Sequence, residues 1–277
     1  MKLKSFFRVS LLFLVVLLCS SSKKQGIPLI VNFNQRFVPV DKNLYVDKYE
    51  TTVKDYQLFL REKKEAGTDC SLLIYDSTLW RDKFSWNEPL VDCYFNYPIY
   101  ADYPIICISH YAANEFCKWL TEKYNNSSQK KYKKVVFRLP TEAEYIKAAI
   151  SIYDSTKIFY PWGNNGLYSK KEKLCNFWEL RQEDLNFNND NTYPHKGEYY
   201  ASILFDAGIE PVINYKPNPY GVFNIVGNVS EMIQEEGISM GGDWLSTGYN
   251  VKIKSKKRYE KGSSTVGFRV YMEIIEF

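Results

Sequence analysis

The chain has 277 residues, a length that suits one large domain or two small ones. Its 36 basic and 32 acidic residues give a net charge of +4, and Lys2, Lys4 and Arg8 lie in an N-terminal leader without acidic residues. The rest of the chain is close to neutral, which excludes a nucleic-acid-binding surface built on bulk charge. A hydrophobic content of 45% and an aromatic content of 17% exclude a disordered chain.

The segment Met1–Ser22 has the form of an export signal. A basic start precedes the apolar run Leu11–Leu18, which is shorter than the roughly 18 residues that span a bilayer. Cys19 follows directly and resembles a bacterial lipoprotein cleavage site, where the thiol takes the lipid. The alternative is ordinary cleavage within Ser20–Ser22, which would leave a secreted protein. The predicted organisation is a lipoprotein-type signal peptide with the start of a tether at 1–22, a tether and lead-in at 23–40, and a single domain at 41–277.

Five cysteines follow the leader: Cys70, Cys93, Cys107, Cys117 and Cys175. Cys107 and Cys117 lie in apolar surroundings, which favours buried free thiols. Cys70 and Cys93 flank an irregular segment, and an oxidising compartment would permit a disulfide between them. No CxxC spacing occurs and the chain has 2 histidines, so we expect neither a zinc site nor a three-histidine iron site.

Capping residues and helical spacing predict three short helices. Thr52 and Asp55 frame the start of the first, Ser109 caps the second, and Thr141 with Glu144 forms a capping box for the third. The predicted inner faces are Val53, Tyr56, Phe59 and Leu60 in the first helix, Ala112, Ala113, Phe116, Cys117 and Leu120 in the second, and Ala143, Ile146, Ala149 and Ile150 in the third.

The predicted strands are short and widely separated. They are Asn43–Asp47, Ile105–Ile108, Val135–Arg138 and Gly267–Glu273. Long stretches between them, such as Tyr153–Tyr215, show little periodicity, yet their Trp, Tyr and Asn content indicates ordered loops held by packing, polar contacts or bound ions. The expected class is α+β with low regular secondary structure, short helices and small antiparallel sheets.

Seven segments of the sequence contain motifs that occur in a recognisable order. They are Val46–Leu60 (VDKYETTVKDYQLFL), Tyr103–Leu120 (YPIICISHYAANEFCKWL), Phe137–Ala149 (FRLPTEAEYIKAA), Tyr160–Asn164 (YPWGN), Asn218–Met232 (NPYGVFNIVGNVSEM), Gly241–Trp244 (GGDW) and Gly267–Val270 (GFRV). In this order they resemble the formylglycine-generating-enzyme (sulfatase-modifying factor) family. The resemblance covers roughly residues 41–277 and implies a variant of the C-type-lectin fold.

The segment Asp76–Ile108 (DSTLWRDKFSWNEPLVDCYFNYPIYADYPIICI) is similar to an insertion of the gliding-motility lipoproteins GldK and GldJ and their relative PorK. That resemblance implies an outer-membrane lipoprotein facing the periplasm, in the type IX secretion and gliding machinery, with a GldN-like protein as partner. The aromatic-rich stretch Tyr75–Tyr103 is then a candidate partner surface, with core packing as an equal alternative.

The enzymes of the family oxidise a substrate cysteine at a copper(I) site, which needs two thiolates because soft sulfur ligands select Cu(I). The family places those cysteines between the GG-W motif and the final GFR, and the interval Gly242 to Gly267 contains none here. Met240, Asp243 and Met232 also replace the usual Arg, Ser and Trp. We therefore expect no copper and a pseudoenzyme.

Calcium is the cofactor that the resemblance implies, since a hard cation takes side-chain and backbone oxygens of a tight loop. One ligand set comprises Asn224, Gly227, Val229 and Glu231, with a plain turn as the alternative. A second, weaker set comprises Asn176, Phe177, Asp206 and Gly208.

The sequence thus predicts a non-catalytic, lipid-anchored scaffold subunit of the gliding and type IX secretion machinery, attached to the membrane through its lipid. One rival hypothesis is an enzyme of the same family with altered chemistry. The other is a secreted or cell-surface module that uses the lectin-like fold to bind glycans or peptides.

Overall fold

The computed structural model describes residues 33–82, 88–153, 158–163, 166–170, 172–179 and 208–277. The helices are α1 (Phe33–Arg36), α2 (Val53–Glu65), α3 (Glu88–Cys93), α4 (His110–Asn125) and α5 (Glu142–Ile150). The strands are β1 (Phe37–Pro39), β2 (Leu44–Asp47), β3 (Lys134–Arg138), β4 (Tyr168–Ser169), β5 (Glu172–Lys173), β6 (Ser230–Met232), β7 (Ile238–Met240), β8 (Lys256–Arg258), β9 (Val266–Gly267) and β10 (Tyr271–Glu276).

Two small sheets organise the described part of the chain. One has the order β1-β2-β10-β3 and is antiparallel throughout, and the other has the order β8-β7-β6-β9 with a parallel β6–β9 pair. Strands β4 and β5 form a separate hairpin. Short helices with small sheets confirm the expected α+β class. None of the helices in these ranges is long and apolar enough to cross a membrane.

The three predicted helices and their caps are confirmed as α2, α4 and α5. Thr52 Oγ1 accepts from the Asp55 amide at 3.2 Å, and Ser109 Oγ accepts from the Ala112 amide at 3.1 Å. Thr141 and Glu144 form the reciprocal capping box, with contacts of 3.3 and 2.8 Å. These caps are local interactions, which is why a few neighbouring residues suffice to predict them.

The inner face of α5 differs from the prediction. Ala143 is exposed and Ile146 half-buried, whereas Tyr145 and Ala148 are fully buried beside Ala149. Tyr145 lies inside because its hydroxyl donates to the Ile225 carbonyl, so its polar atom is satisfied in the core. A distant carbonyl therefore sets the orientation of the helix.

Two of the four predicted strands are regular strands, β2 and β3. Ile105–Ile108 is buried but irregular, since Cys107 has a φ of +59° and its amide donates to the Ser263 carbonyl. The predicted strand Gly267–Glu273 is divided between β9 and β10, which belong to different sheets. Arg269 lies in the crossover between them, with a fully buried side chain.

The lead-in before residue 41 is part of the packed domain. Arg36, at the end of α1, is 1% exposed and binds Asp47 through Nε at 2.7 and 2.8 Å. Its Nη2 lies 2.9 Å from Asp55 Oδ2. β1 pairs with β2 directly afterwards. The predicted boundary at residue 41 is therefore too late for the described lead-in.

The aromatic-rich stretch Tyr75–Tyr103 contributes side chains both to the core and to the surface. Trp80 and Tyr94 are buried with ring centroids 5.2 Å apart, and Trp80 also lies 6.0 Å from Trp244. Tyr97 and Ile99 are more than half exposed. Core packing thus accounts for the first group, and the second remains a candidate partner surface.

Cys70 and Cys93 are free thiols in the structure, in place of the predicted disulfide. The Cys70 thiol donates to the Thr68 carbonyl at 3.4 Å. The two parts of the insertion are instead joined by ring stacking, with Tyr75 and Phe95 centroids 3.8 Å apart.

Candidate functional site

The loop that carries the GNVSE motif has an unusual backbone. Asn224, Gly227 and Asn228 have φ values of +49°, +76° and +60°, in the left-handed region. A Cβ at Gly227 would lie 2.3 Å from the Asn176 carbonyl oxygen, so that position requires glycine. The conformation turns several polar groups of one short loop into the interior.

A buried carboxylate, Glu50, lies among these groups. Its two oxygens accept from Asn224 Nδ2 at 3.1 Å and from Asn228 Nδ2 at 2.9 Å. Burial raises the pKa of Glu50 to about 8, although Arg269 and the two amides act in the opposite direction. Asn224 Oδ1 is buried and has no hydrogen-bond partner within the described residues. A carboxylate and an unpartnered amide oxygen therefore share one buried region.

Glu231, the only charged member of the first predicted ligand set, is held differently. Arg269 Nη2 donates to its Oε1 at 2.7 Å and Nε lies 3.0 Å from the same oxygen. Arg269 also donates to the Asp47 and Phe223 carbonyls at 3.1 and 2.7 Å. Arg269 pairs with Glu231, whereas no described cationic side chain forms an ion pair with Glu50. Because its pKa is raised to about 8, Glu50 holds its proton at neutral pH unless a bound cation displaces it.

Asn228 lies in the loop of the first predicted calcium ligand set and forms hydrogen bonds with Asn176 of the second, although it belongs to neither set. Its Oδ1 accepts from Asn176 Nδ2 at 3.1 Å, and its amide donates to the Asn176 carbonyl at 2.9 Å. Asn176 Nδ2 also donates to the Gly208 carbonyl at 2.9 Å. Phe177 is buried under the Lys173 ammonium, 5.1 Å from its ring centroid. Asp206 lies outside the described residues.

This donor set fits a hard cation such as calcium. Carboxylate and amide oxygens are the ligands that calcium prefers, and a bound cation would satisfy both Asn224 Oδ1 and the Glu50 charge. Among the described residues no three His, Cys, Asp or Glu side chains gather as a metal site, so the ion would depend on amide and carbonyl oxygens. The Gly227 and Val229 carbonyls remain predicted ligands. Sequence analysis missed Glu50, whose one signal was an acid two residues before Thr52, the N-cap of α2.

The GGDW motif leads into a second polar group. Asp243 is fully buried and accepts from the Leu245 amide and the Ser246 hydroxyl, each at 3.0 Å. The Lys257 ammonium forms an ion pair with Asp243 and donates to Thr265 Oγ1 at 2.8 Å. An ammonium–carboxylate pair thus lies inside the interval in which the resemblance places the copper thiolates.

A groove with a volume of about 740 Å³ lies beside this pair. One wall is β8 with the following turn to Ser263, and another is formed by Leu79 and Asp82 of the insertion. Glu235 and Glu236 lie at the β6–β7 turn. The lining is mainly polar and charged.

The thiols outside that interval are poorly suited to copper or to nucleophilic chemistry. Burial raises the pKa of Cys175 to about 12 and that of Cys107 and Cys117 well above the ordinary range. A protonated thiol is neither the reactive form nor the metal-binding form. His110 Nε2 lies 2.9 Å from the Ile233 carbonyl oxygen, as expected of a packed histidine, and His195 lies outside the described residues. These three buried thiols therefore do not fit a copper site.

A family model, the sulfatase-modifying factor enzyme 1-like domain, matches residues 31–274. The chain belongs to this family. It is 34% identical over 110 residues to the formylglycine-generating enzyme of Thermomonospora curvata, which covers 40% of this chain and 30% of the relative. It is 23% identical over 265 residues to the Mus musculus formylglycine-generating enzyme, covering 85% and 60%. The chain thus spans less than two thirds of either relative.

The chain is also similar to an inactive relative and, in fold, to two distant solved structures. The chain is 23% identical over 265 residues to the Bos taurus inactive C-alpha-formylglycine-generating enzyme 2, covering 82% of the chain and 76% of the relative. PvdO of Pseudomonas aeruginosa superposes with a TM-score of 0.53 at 15% identity, covering 83% and 80% of the two chains. CarF superposes with a TM-score of 0.52 at 17% identity, covering 83% and 86%. The predicted family fold is confirmed.

Proposed function

We propose that this member of the sulfatase-modifying factor family is a non-catalytic, lipid-anchored scaffold subunit of the gliding motility and type IX secretion machinery. The observation that carries the proposal is the ion pair between the buried Asp243 and the half-buried Lys257, which lies in an interval without cysteine. An ion pair of this kind positions neighbouring backbone and offers no soft ligand for copper(I).

The inactive bovine relative supports the non-catalytic part of the proposal, because it shows that a member of the family carries that description. The assignment to the gliding machinery rests on the resemblance of Asp76–Ile108 to GldK and GldJ. In the proposal a GldN-like subunit binds the domain, and the exposed Tyr97 and Ile99 belong to its surface.

The same proposal places the domain on the periplasmic side of the outer membrane. Cys19 carries the lipid, and residues 23–32 connect it to α1. Calcium at Glu50 and Asn224 has a structural role, since it ties the motif loop to the segment before α2. A compartment open to external calcium would keep such a site filled.

Crosslinked native complexes test the scaffold role. The tagged protein is lightly crosslinked in its own cells, purified from the membrane fraction and analysed by mass spectrometry, beside a Cys19→Ser variant that cannot be lipidated. Recovery of gliding or type IX subunits in a large complex is the expected result, with loss of membrane association in the variant. A monomer without those subunits would overturn the proposal.

An enzyme with altered chemistry is the second candidate, and the groove beside Lys257 is what favours it. Purified protein loaded with copper(I) is incubated with cysteine-containing peptides, and aldehyde formation is followed by mass spectrometry. We expect no aldehyde. Turnover that an Asp243→Asn substitution abolishes would establish the enzyme instead.

A further inference from the structure

Four exposed lysines lie close together at the loop between α4 and β3. The members of this lysine cluster are Lys130, Lys131, Lys133 and Lys134. The sequence between Lys123 and Glu142 contains no acidic residue, and no member of the cluster forms an ion pair within the described residues. Glu276, which opposes Lys134 across the β3–β10 pair, is the acid that the strand register brings beside the cluster. The lysine cluster therefore keeps an excess of positive charge.

The backbone of the loop is fixed to the core. The Tyr124 hydroxyl accepts from the Lys131 and Tyr132 amides at 3.1 Å each, and the Tyr132 side chain is buried. The Asn125 side chain forms two bonds with the backbone of Val135, of 2.9 and 3.0 Å. Because the backbone is already ordered, a ligand that binds the lysines does not have to order the loop.

The part of the chain that leads to Cys19 enters the domain beside the same loop. Phe33, in α1, packs against Tyr124 with ring centroids 5.0 Å apart. Tyr124 thus contacts both the entry of the chain and the backbone of the loop. In the proposed function Cys19 carries the lipid, and the chain from Cys19 to Phe33 reaches at most about 50 Å when fully extended. The lysine cluster is therefore on the part of the domain that the anchor ties to the membrane.

Exposed apolar side chains lie next to the lysines. Phe277 is 61% exposed, and its ring centroid lies 5.9 Å from that of Tyr132. Ile275, in β10, is also exposed. Apolar side chains beside lysines are typical of surfaces that lie against lipid headgroups, where the apolar groups enter the boundary and the ammonium groups stay with the phosphates. An acidic protein would match the charge of the cluster, but not its position beside the anchored end of the chain.

We infer that the lysine cluster binds an anionic phospholipid surface and so fixes the orientation of the anchored domain on its membrane. The inference rests on the proposed function, because the lipid at Cys19 is the first attachment. Each lysine near an anionic surface strengthens binding about fivefold. Salt screens this attraction, so the cluster alone holds the protein weakly and reversibly, and firm attachment needs the lipid as well.

Lysine labelling of the reconstituted lipoprotein tests the contact. The native protein is purified in detergent and inserted into vesicles of phosphatidylcholine, alone or mixed with phosphatidylglycerol. A pulse of a membrane-impermeant acylating reagent is followed by peptide mass spectrometry. Labelling of the cluster should fall severalfold in the phosphatidylglycerol vesicles and return at high salt. Lys254 and Lys261, exposed on either side of β8, should be labelled equally in both. Equal labelling of the cluster in both vesicles, or equal protection of the two control lysines, would overturn the inference.

Two pairs of substitutions separate this surface from net charge. Lys131→Gln with Lys133→Gln removes two charges of the cluster, and Lys254→Gln with Lys261→Gln removes two charges beside the other sheet. Both pairs are made with Cys19→Ser, so that no lipid contributes and the leader is common to all variants. Sedimentation gives the ratio of partitioning into phosphatidylglycerol-containing and pure phosphatidylcholine vesicles. The first pair should lower this ratio roughly twentyfold and the second should leave it nearly unchanged. Thermal melts confirm folding, and equal ratios for the two pairs would contradict the inference.

The outcome is distinguishable from failure of the proposed function. If mass spectrometry finds no lipid at Cys19 but Lys131 and Lys133 still govern partitioning, the membrane contact stands and the anchor fails. If the lipidated protein is recovered with gliding or type IX subunits but labelling of the cluster is the same in both vesicles, the scaffold stands and the membrane contact is wrong. Protection of the cluster in the crosslinked complex, but not in phosphatidylglycerol vesicles, would identify an acidic protein as occupant and overturn the inference.

Discussion

Two neighbouring motif segments of this domain have different chemical content. The loop Asn224–Glu231 lies against a buried carboxylate and an unpartnered amide oxygen, a combination that suits a hard cation. The segment Gly241–Thr265 has an ammonium–carboxylate pair and no thiol. The first segment holds distant parts of the chain together, whereas the second lacks the thiolate ligands that the copper chemistry of the family would need. The difference indicates that the fold and its Asn224–Glu231 loop do not depend on a copper site.

The largest expected effect comes from the buried pair that supports the loop. Replacing Arg269 with Ala leaves Glu231 charged and unpaired in the interior and should lower the free energy of unfolding by about 3–5 kcal/mol. Urea denaturation measures this loss. Arg81→Ala, which breaks an exposed pair with Glu88, is the matched control and should cost less than about 1 kcal/mol. Similar losses in both variants would show that the Arg269 network does not organise the loop.

Calcium removal tests the loop itself. Calcium at about one hundred times its Kd should stabilise the chelator-treated protein by about 2.7 kcal/mol, because the ion binds only the folded state. Glu50→Gln should abolish the gain, since it removes the charged ligand. Glu122→Gln changes an exposed acid on α4 and should keep it. Melting curves with calcium and with EGTA provide the measurement. A gain that survives Glu50→Gln would place the ion elsewhere.

A substitution in the second segment, Gly241–Thr265, should lower the free energy of unfolding less than Arg269→Ala does. Asp243→Asn keeps the shape of the side chain but leaves the Lys257 ammonium without its carboxylate, and we expect a loss of about 1–3 kcal/mol. The cost is below that of Arg269→Ala because Lys257 is 34% exposed and can reach water. Glu142→Gln at the exposed pair with Lys256 should cost less than about 1 kcal/mol. If Asp243→Asn were as stable as wild type in urea, or more stable, the ion pair would have no structural role.

Local interactions could be predicted from the sequence, and long-range ones could not. The helix caps are contacts between residues three positions apart, so the neighbouring sequence predicts them, as at Thr52, Ser109 and Thr141. Asn224 was predicted as a ligand from its motif, but its partner Glu50 lies 174 residues away, in a segment to which no ligand was assigned. The orientation of α5 depends on a contact between Tyr145 and Ile225, 80 residues apart. Such pairings become visible only once the sheets have brought the segments together.

The smallest predicted effect concerns Glu144, whose carboxylate contacts both the helix cap at Thr141 and the side chain of Arg138 on β3. Arg138 donates two bonds of 2.7 Å to this carboxylate and the Thr141 amide a third of 2.8 Å. Although burial acts to raise it, these contacts hold the pKa of Glu144 below its ordinary value of 4.5. Glu144→Gln should therefore cost about 1 kcal/mol at pH 7, in urea denaturation.

The sign of the pH dependence follows from the lowered pKa. The stabilisation by Glu144 is complete above pH 4.5, where the unfolded side chain is also ionised, and it disappears as the pH falls through the lower folded value. The difference between wild type and Glu144→Gln should accordingly shrink as the pH is lowered from 5 towards about 3. Glu273→Gln, which removes the single contact of the other carboxylate with Arg138, should cost less at pH 7. A difference that stays constant with pH would mean that shape, and not charge, gives Glu144 its effect.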